Sequence, residues 1–325
     1  TLGDLPLNLQ VSASGKYAAV TNNGESTQTV QLIDPKREKL LDTKVVGKSW
    51  YGLAFSHDEK HLYASGGYDN IILDFHLQNN KLSIPDTIRL GKPWPKGKIC
   101  PTGIAVSKNN QRLYTVTKED NRIYVINLKT KKIINSVSLP GIAYSCVLSP
   151  DEKKLYVSLW GKNHVVVFDT AKKKISAEIK TGSHPNELVL NRKGTILYVA
   201  NANDNTVSVI NTRKNKVIET LSAALYPTRL TGSTTDGVAL STDGKTLYIA
   251  NADNNCLAVF DVSEPGESKS KGFIPVGWYP TNVKTLGNKI LVTNGKGFSS
   301  MANPDGPQPV SKKDDSGYQH GISAK

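Results

Sequence analysis

A single methionine, three cysteines and 7% aromatic residues leave this 325-residue chain without the marks of several protein classes. Its wholly apolar stretches, such as Val165 to Phe168, run only a few residues, against the roughly 20 that a bilayer-crossing helix needs. No membrane-spanning helix is expected. Cys100, Cys146 and Cys256 are odd in number, lie far apart and show no Cys-x-x-Cys or Cys/His zinc spacing. They predict neither a metal site nor a disulfide framework. The sequence opens Thr1-Leu2-Gly3-Asp4, without an initiator methionine or a basic-then-apolar segment, as expected of a removed leader or a trimmed chain.

Acidic residues are the scarcer charge, 28 Asp plus Glu against 41 Lys plus Arg, for a formal +13. Such a surface attracts polyanions such as nucleic acid, anionic glycans or lipids. The excess is mostly dispersed lysine, a pattern that fits solvated surface and strand-edge protection better than a nucleic-acid groove.

What is present is an internal repeat. Ser12, Ser56, Ser107, Ser149, Asn191 and Ser241 step by 44, 51, 42, 42 and 50 residues. The independent set Asp34, His76, Asn127, Asp169, Asn211 and Asp261 steps by 42, 51, 42, 42 and 50. Periods of this length indicate solenoids, propellers or arrays. A seventh front half follows at Pro280 to Asn294. Each unit reads as four short strands, shown by the fifth: Glu187 to Leu190, Ile196 to Ala200, Thr206 to Ile210 and Lys216 to Leu221. Val, Ile, Tyr and Thr fill the strands, while Gly, Asn, Asp and Lys fill the turns. The Asx residue closing each third strand suits a turn capped by its own side chain. Asn22, Asn201, Asn251 and Asn294 are expected in left-handed turn geometry, which Asn tolerates.

One four-stranded sheet cannot bury both its faces, and radial packing of several solves the problem. The expected fold is all-β, a seven-bladed β-propeller with four-stranded antiparallel blades over residues 1–294. Seven inner hairpins but six outer hairpins can be found, so the last blade is expected to be incomplete. Residues 295–325, rich in Gly, Ser, Pro and Lys, read as a loop or linker tail. Asp314-Asp315 there is linker charge.

Naming the strands of a blade a to d from the axis outward, the a–b and c–d turns lie on one face and the b–c and d–a loops on the other. Much of the lysine falls on the a–b face, as in Lys129 to Lys132 and Lys172 to Lys174. All four tryptophans fall on the d–a face. Candidate ligand-binding residues are therefore Trp50, Tyr51, Trp94, Tyr144, Trp160, His184, Asn186, Tyr226, Arg229, Trp278 and Tyr279. Their rings could stack on a flat or sugar-like ligand, with Asn, His and Arg giving directional hydrogen bonds; alternatively the rings merely seal adjacent blades. Surplus residues at Lys92 to Pro101 and Pro227 to Asp236 fall on this face too, where insertions in repeat folds mark a binding face. His57 and His61 mimic an i, i+4 metal pair but lack a third ligand, so no metal is expected. No nucleophile with a local base or carboxylate cluster is evident, so no catalytic residue and no cofactor are assigned.

Leu197-Tyr198-Val199-Ala200-Asn201 followed by Asn205-Thr206-Val207-Ser208-Val209-Ile210-Asn211 resembles the YVTN, or YncE-like, β-propeller repeat. The resemblance covers nearly the whole chain, with blades one and two fitting loosely. Val276-Gly277-Trp278-Tyr279-Pro280-Thr281, Asn294-Gly295-Lys296-Gly297 and Ala302-Asn303-Pro304-Asp305-Gly306-Pro307 are similar to a group whose propeller precedes an alkaline-phosphatase-type phosphoesterase domain. That resemblance implies a periplasmic or extracellular, surface-layer-like protein, and a phosphoesterase partner domain beyond Lys325. This chain departs from the group by stopping before any such metal-binding carboxylates. The expected function is a non-catalytic binding or scaffold propeller that presents a small ligand or protein partner at the top of the axial funnel. The alternatives are a lactonase-type or quinoprotein-type enzyme, and a polyanion or nucleic-acid binder using the basic face.

Overall fold

The structure is a computed structural model that describes residues 2–3, 5–24, 27–226 and 232–297. Among these, blade 1 is Pro6–Val11, Ala18–Asn22, Thr29–Asp34 and Lys39–Val45. Blade 2 is Leu53–Phe55, His61–Ser65, Ile71–Gln78 and an outer strand split into Lys81–Leu82 and Asp86–Arg89. Blade 3 is Pro101–Val106, Arg112–Thr117, Arg122–Asn127 and Lys132–Ser138, and blade 4 is Cys146–Leu148, Lys154–Leu159, His164–Asp169 and Lys174–Lys180. Blade 5 is Pro185–Leu190, Ile196–Asn201, Thr206–Asn211 and Lys216–Ser222, and blade 6 is Thr235–Leu240, Thr246–Asn251, Cys256–Asp261 and Lys269–Pro275. A two-stranded blade 7, Pro280–Leu286 with Lys289–Asn294, follows. Every pairing is antiparallel between chain neighbours, and the fifth-repeat strands lie within two residues of their expected limits. The fold is an all-β propeller of six complete blades and a partial one.

The repeat anchors are turn caps. At the a–b turns, Ser56, Ser107, Ser149 and Ser241 each donate to the Asp or Asn two residues on and accept the backbone N–H five residues on. At the c–d turns, Asp34, Asn127, Asp169, Asn211 and Asp261 accept backbone N–H groups two or three residues ahead. These are the Asx-turns the spacing implied. His76 is the exception. Its strand runs on to Gln78, so it sits inside the strand and caps nothing.

A second correction concerns the b–c turns. Asn22, Asn201, Asn251 and Asn294 end the b strands, and Asn251 is extended at φ −100°. The left-handed residues are Asn70, Asn121, Asn163, Asn205 and Asn255, with φ of 52° to 56°, one step before each c strand. Non-glycine residues other than Asn rarely accept that geometry. The amide oxygens of four of them reach forward to the chain leading into the next blade: Asn70 to the Cys100 N–H (2.8 Å), Asn163 to His184 (3.3 Å), Asn205 to Ser233 (2.7 Å) and Asn255 to Tyr279 (2.8 Å). Gln28 does the same for Ser49 in blade 1 (2.7 Å). The backbone carbonyls of Gln28 and these five asparagines accept from the residue just after their own d strand. One residue thus ties together a blade's outer strand and the start of the following blade.

The core is seven apolar clusters, one at each seam between neighbouring blades, including the seam from blade 7 back to blade 1. The inner strands touch in sequence around the ring, and Pro280–Leu286 touches Pro6–Val11. Blade 7's two seams are thin among the described residues, with four buried residues toward blade 6 and three toward blade 1, where its sheet has two strands. Side chains reinforce closure: Thr281 Oγ1 donates to the Pro6 carbonyl, and Asn282 Nδ2 to Asn8 Oδ1 at 3.2 Å. Lys289 Nζ lies 2.8 Å from Glu38 Oε1.

Asn70 is fully buried and spends all of its amide, Nδ2 also donating to the Lys92 (2.6 Å) and Gly97 (3.0 Å) carbonyls. Asn70→Ala is expected to lower unfolding free energy by about 2–4 kcal/mol, from lost hydrogen bonds and a strained left-handed alanine. Asn70→Gly should lose about 1 kcal/mol less, since glycine accepts the backbone angle. Urea denaturation of the pair checks both.

Candidate functional site

Seven inner strands around an axis leave a lumen, and its shape depends on what each strand places at one level. Aligned by strand, the neck is Asn8, Gly52, Gly103, Ser145, Glu187, Gly237 and Asn282. A β-carbon at Gly52 would lie 2.0 Å from the Thr102 carbonyl oxygen, and one at Gly103 would lie 2.7 Å from the Cys146 backbone nitrogen. Glycine there is required by close approach of neighbouring backbones. Two residues further along each strand comes a second tier: Gln10, Ala54, Ala105, Val147, Val189, Ala239 and Lys284. Below it the lumen widens into a cavity of about 880 Å³ that reaches the a–b turns at Ser12 to Gly15, Ser56–His57, Arg192 and Ser241 to Gly244.

Each tier holds a single charge. Glu187 is buried, with its carboxylate accepting from the Val238 N–H (3.0 Å), Asn282 Nδ2 (3.3 Å) and Lys284 Nζ (2.5 Å). Lys284 also donates to Asn282 Oδ1 at 2.9 Å. A buried carboxylate needs both Coulombic contact and hydrogen bonding to offset desolvation; Glu187 has both, from a lysine that is itself half-buried. Asn8, another polar neck residue, accepts from Asn282 Nδ2 and donates to the Tyr51 carbonyl at 2.6 Å.

On the d–a side the axis is stoppered. Tyr51 and Tyr144 meet with ring centroids 4.6 Å apart. Burial raises both hydroxyls well above the usual tyrosine range, Tyr51 further through Glu187 and Tyr144 through Asp236 and Glu187. Asp236 Oδ1 accepts from Asn186 Nδ2 at 3.1 Å. Its carboxyl is pushed up to about 8, first by burial and then by the Asp253 and Glu187 carboxylates. Burial, followed by Asp236 and Asp253, pushes Tyr279 up to about 12.

The eleven candidate residues therefore separate into groups. Tyr51, Tyr144, Asn186 and Tyr279 gather around the axial carboxylates. Trp50 and Trp94 belong to a cluster off the axis, where Lys118 Nζ lies 4.5 Å above the Trp50 ring and 4.9 Å above Tyr68, and Tyr68 meets Trp94 edge-on at 5.2 Å. Trp160 meets His184 edge-on at 4.5 Å. Trp278 and Tyr279 share Lys296, 5.4 and 4.3 Å from their rings. Tyr226 is 65% exposed, and Arg229 lies outside the described residues. The cavity of about 880 Å³ opens at the a–b turns, on the opposite face from the mouth expected to bind ligand.

Glu187, Lys284, Asp236, Asn8 and Asn282 were not singled out from the sequence as functional. The signal was present: comparing inner strands by column isolates Glu187 among Gly, Ser and Asn, and Lys284 among Ala, Val and Gln. For nucleophiles, burial pushes the Cys146 thiol up to about 12, which removes thiolate chemistry near neutral pH. Ser183 Oγ and His184 Nδ1 are 2.8 Å apart, but the adjacent Asp204 accepts from the Ser183 N–H rather than orienting the imidazole.

A family model described as "Lactonase, 7-bladed beta-propeller" matches residues 143–294, under half of the chain but including Tyr144, Glu187, Asp236 and Lys284. No curated protein matches. Among solved structures the chain is similar to Kuenenia stuttgartiensis hydrazine synthase, at 17% identity and TM-score 0.71 over 90% of this chain and 96% of that one. It is also similar to U3-55K (13%, 0.76, 91% and 90%) and to the RRP9 WD40 repeats (14%, 0.75, 91% and 89%). At these identities the likenesses show the propeller fold alone.

Asp236 generates a pH prediction. A carboxyl whose folded pKa, about 8, exceeds its ordinary value near 4 holds a proton in the folded state that the unfolded state releases. Its contribution is full below about pH 4 and is lost as pH rises toward 8. Asp236→Asn should flatten the decline in melting temperature between pH 5 and 8, checked by thermal melts across that window.

Proposed function

We propose that this chain is a non-catalytic binding propeller whose ligand occupies the axial cavity, entering from the a–b face and reaching its polar end. One observation carries this reading: two charges of opposite sign face each other on the axis, in columns that otherwise hold uncharged and mostly small residues, at the end of a cavity of about 880 Å³. That volume is within the range of small-molecule sites, which combine apolar walls with a few fixed polar groups. Val11, Leu53, Ile104, Leu188 and Val238 line the walls. The ligand class that fits is a small organic molecule with an apolar body and one group able to accept from Lys284 and donate to Glu187, such as a carboxamide or a hydroxy acid.

The experiment separates binding from folding. Lys284→Met strands Glu187 and should cost about 3–5 kcal/mol, whereas the double variant Glu187→Gln/Lys284→Met should recover most of it, because removing both charges of a buried pair is close to neutral. A panel of small amides and hydroxy acids, read by thermal shift, should stabilise the native chain and leave the double variant unmoved. A double variant that binds as the native chain does would sink the reading.

A lactone-hydrolysing enzyme is the second reading, favoured by the family match over residues 143–294 and by a carboxyl near the axis held up to about 8, the property of a general acid at neutral pH. Turnover of simple lactones that disappears in Asp236→Asn would replace the binding reading with this one.

A further inference from the structure

Among the six complete blades described, blade 2 alone buries a charge in the middle of its third strand. In the shared b–c register, the place of Asp74 is taken by Leu32 in blade 1 and by Val125, Val167, Val209 and Val259 in blades 3 to 6. Asp74 is nonetheless 2% exposed. A carboxylate in a valine column is costly unless something specific is built around it. What surrounds it is two imidazoles. His61 and His76 are direct cross-strand partners, and Asp74 lies two residues before His76 on the same sheet face. His61 Nδ1 is 2.7 Å from Asp74 Oδ1, and the His61 and His76 ring centroids are 4.3 Å apart.

The position also holds a cation already. Lys131, from the c–d turn of blade 3, places Nζ 3.0 Å from Asp74 Oδ2 and 2.6 Å from Asp86 Oδ2. Asp86 is the register partner of Asp74 on the split outer strand, and its Oδ2 is 3.8 Å from His76 Nε2. The ammonium accounts for the two carboxylates, but an ion pair needs neither imidazole.

We propose that this seam between blades 2 and 3 is a binding site for one divalent transition-metal ion of the Zn²⁺ type, held by His61, Asp74 and His76, with Lys131 as the cation it displaces. One ligand atom from each of the three residues already lies within 4.8 Å of the others. A tetrahedral centre with bonds of about 2.0–2.1 Å separates its ligands by about 3.3 Å. His76, whose side chain is 56% exposed, is free to swing that distance inward. Two imidazoles and one carboxylate select zinc, copper or nickel over magnesium and calcium. The fourth position falls to water or, once Lys131 has left, to Asp86. His57, close in sequence, takes no part: it lies on the a–b turn, where its backbone N–H donates to Asn110.

The test is titration of Zn²⁺ into the full chain by calorimetry, with Co²⁺ absorption reporting coordination geometry. One equivalent should bind. Since loss of an outer-shell partner already costs about 10–100-fold in metal affinity, loss of a ligand in His76→Gln or His61→Gln should cost more than about 100-fold. His76 is exposed, so its variant carries the test even if His61→Gln fails to fold. Lys131→Met should tighten binding, because the competing charge is gone. His57→Ala, His164→Ala and His320→Ala should leave it unchanged. The site is overturned if no saturable binding occurs, if those control variants weaken binding as much as His76→Gln does, or if Lys131→Met fails to tighten it.

Discussion

The amide side chain at the head of each third strand is the contact on which this propeller depends. Its backbone carbonyl closes the outer strand of its own blade, and in five of the six complete blades its side-chain oxygen receives the chain arriving at the next. The left-handed geometry at five of these positions is where Asn pays least among residues with a side chain, which is why the residue recurs. Blade 3 departs from the rule, as Asn121 Oδ1 is buried without a hydrogen-bond partner. Because the contact repeats from blade to blade, small errors in tilt do not accumulate, and seven inner strands meet with backbones in contact around one axis.

That geometry explains the distribution of chemistry. Inner strands that nearly touch admit only glycine or a short polar residue at the neck, so one glutamate there dominates the local field and needs its lysine. The layer above it, Tyr51 with Tyr144, is held in place by the same crowding. The aromatic clusters farther out carry lysines above their rings, in contacts worth about 0.5–1 kcal/mol each at exposed sites.

Blade number, strand limits and the face assignment of all four tryptophans were legible because turn chemistry is local. A Ser or Asx residue must stand at a fixed offset from the N–H groups it caps, and that offset survives as a period. The b–c turn was misassigned by four residues in blades 5 and 6, Asn201 for Asn205 and Asn251 for Asn255, because an asparagine stands at each end of the loop and only backbone angles tell them apart. The axial pair and the blade 2 cluster were harder to see, since their partners are remote in sequence: Glu187 meets Lys284 across the lumen, and His61 meets His76 across a strand pair. Each nonetheless breaks a column that the repeat itself defines. Asp74 among valines is the plainest case.

The neck glycines set a gauge for the lumen. Enlarging a side chain at Gly52 or Gly103 would drive it into an adjoining main chain, so the aperture there cannot be retuned without rebuilding the ring. Ala54, Ala105 and Ala239 line the wider cavity, yet each is also packed into the seam toward the following blade. Descendants of this fold that alter what the cavity accommodates at those alanines must therefore repack an interblade seam at the same time.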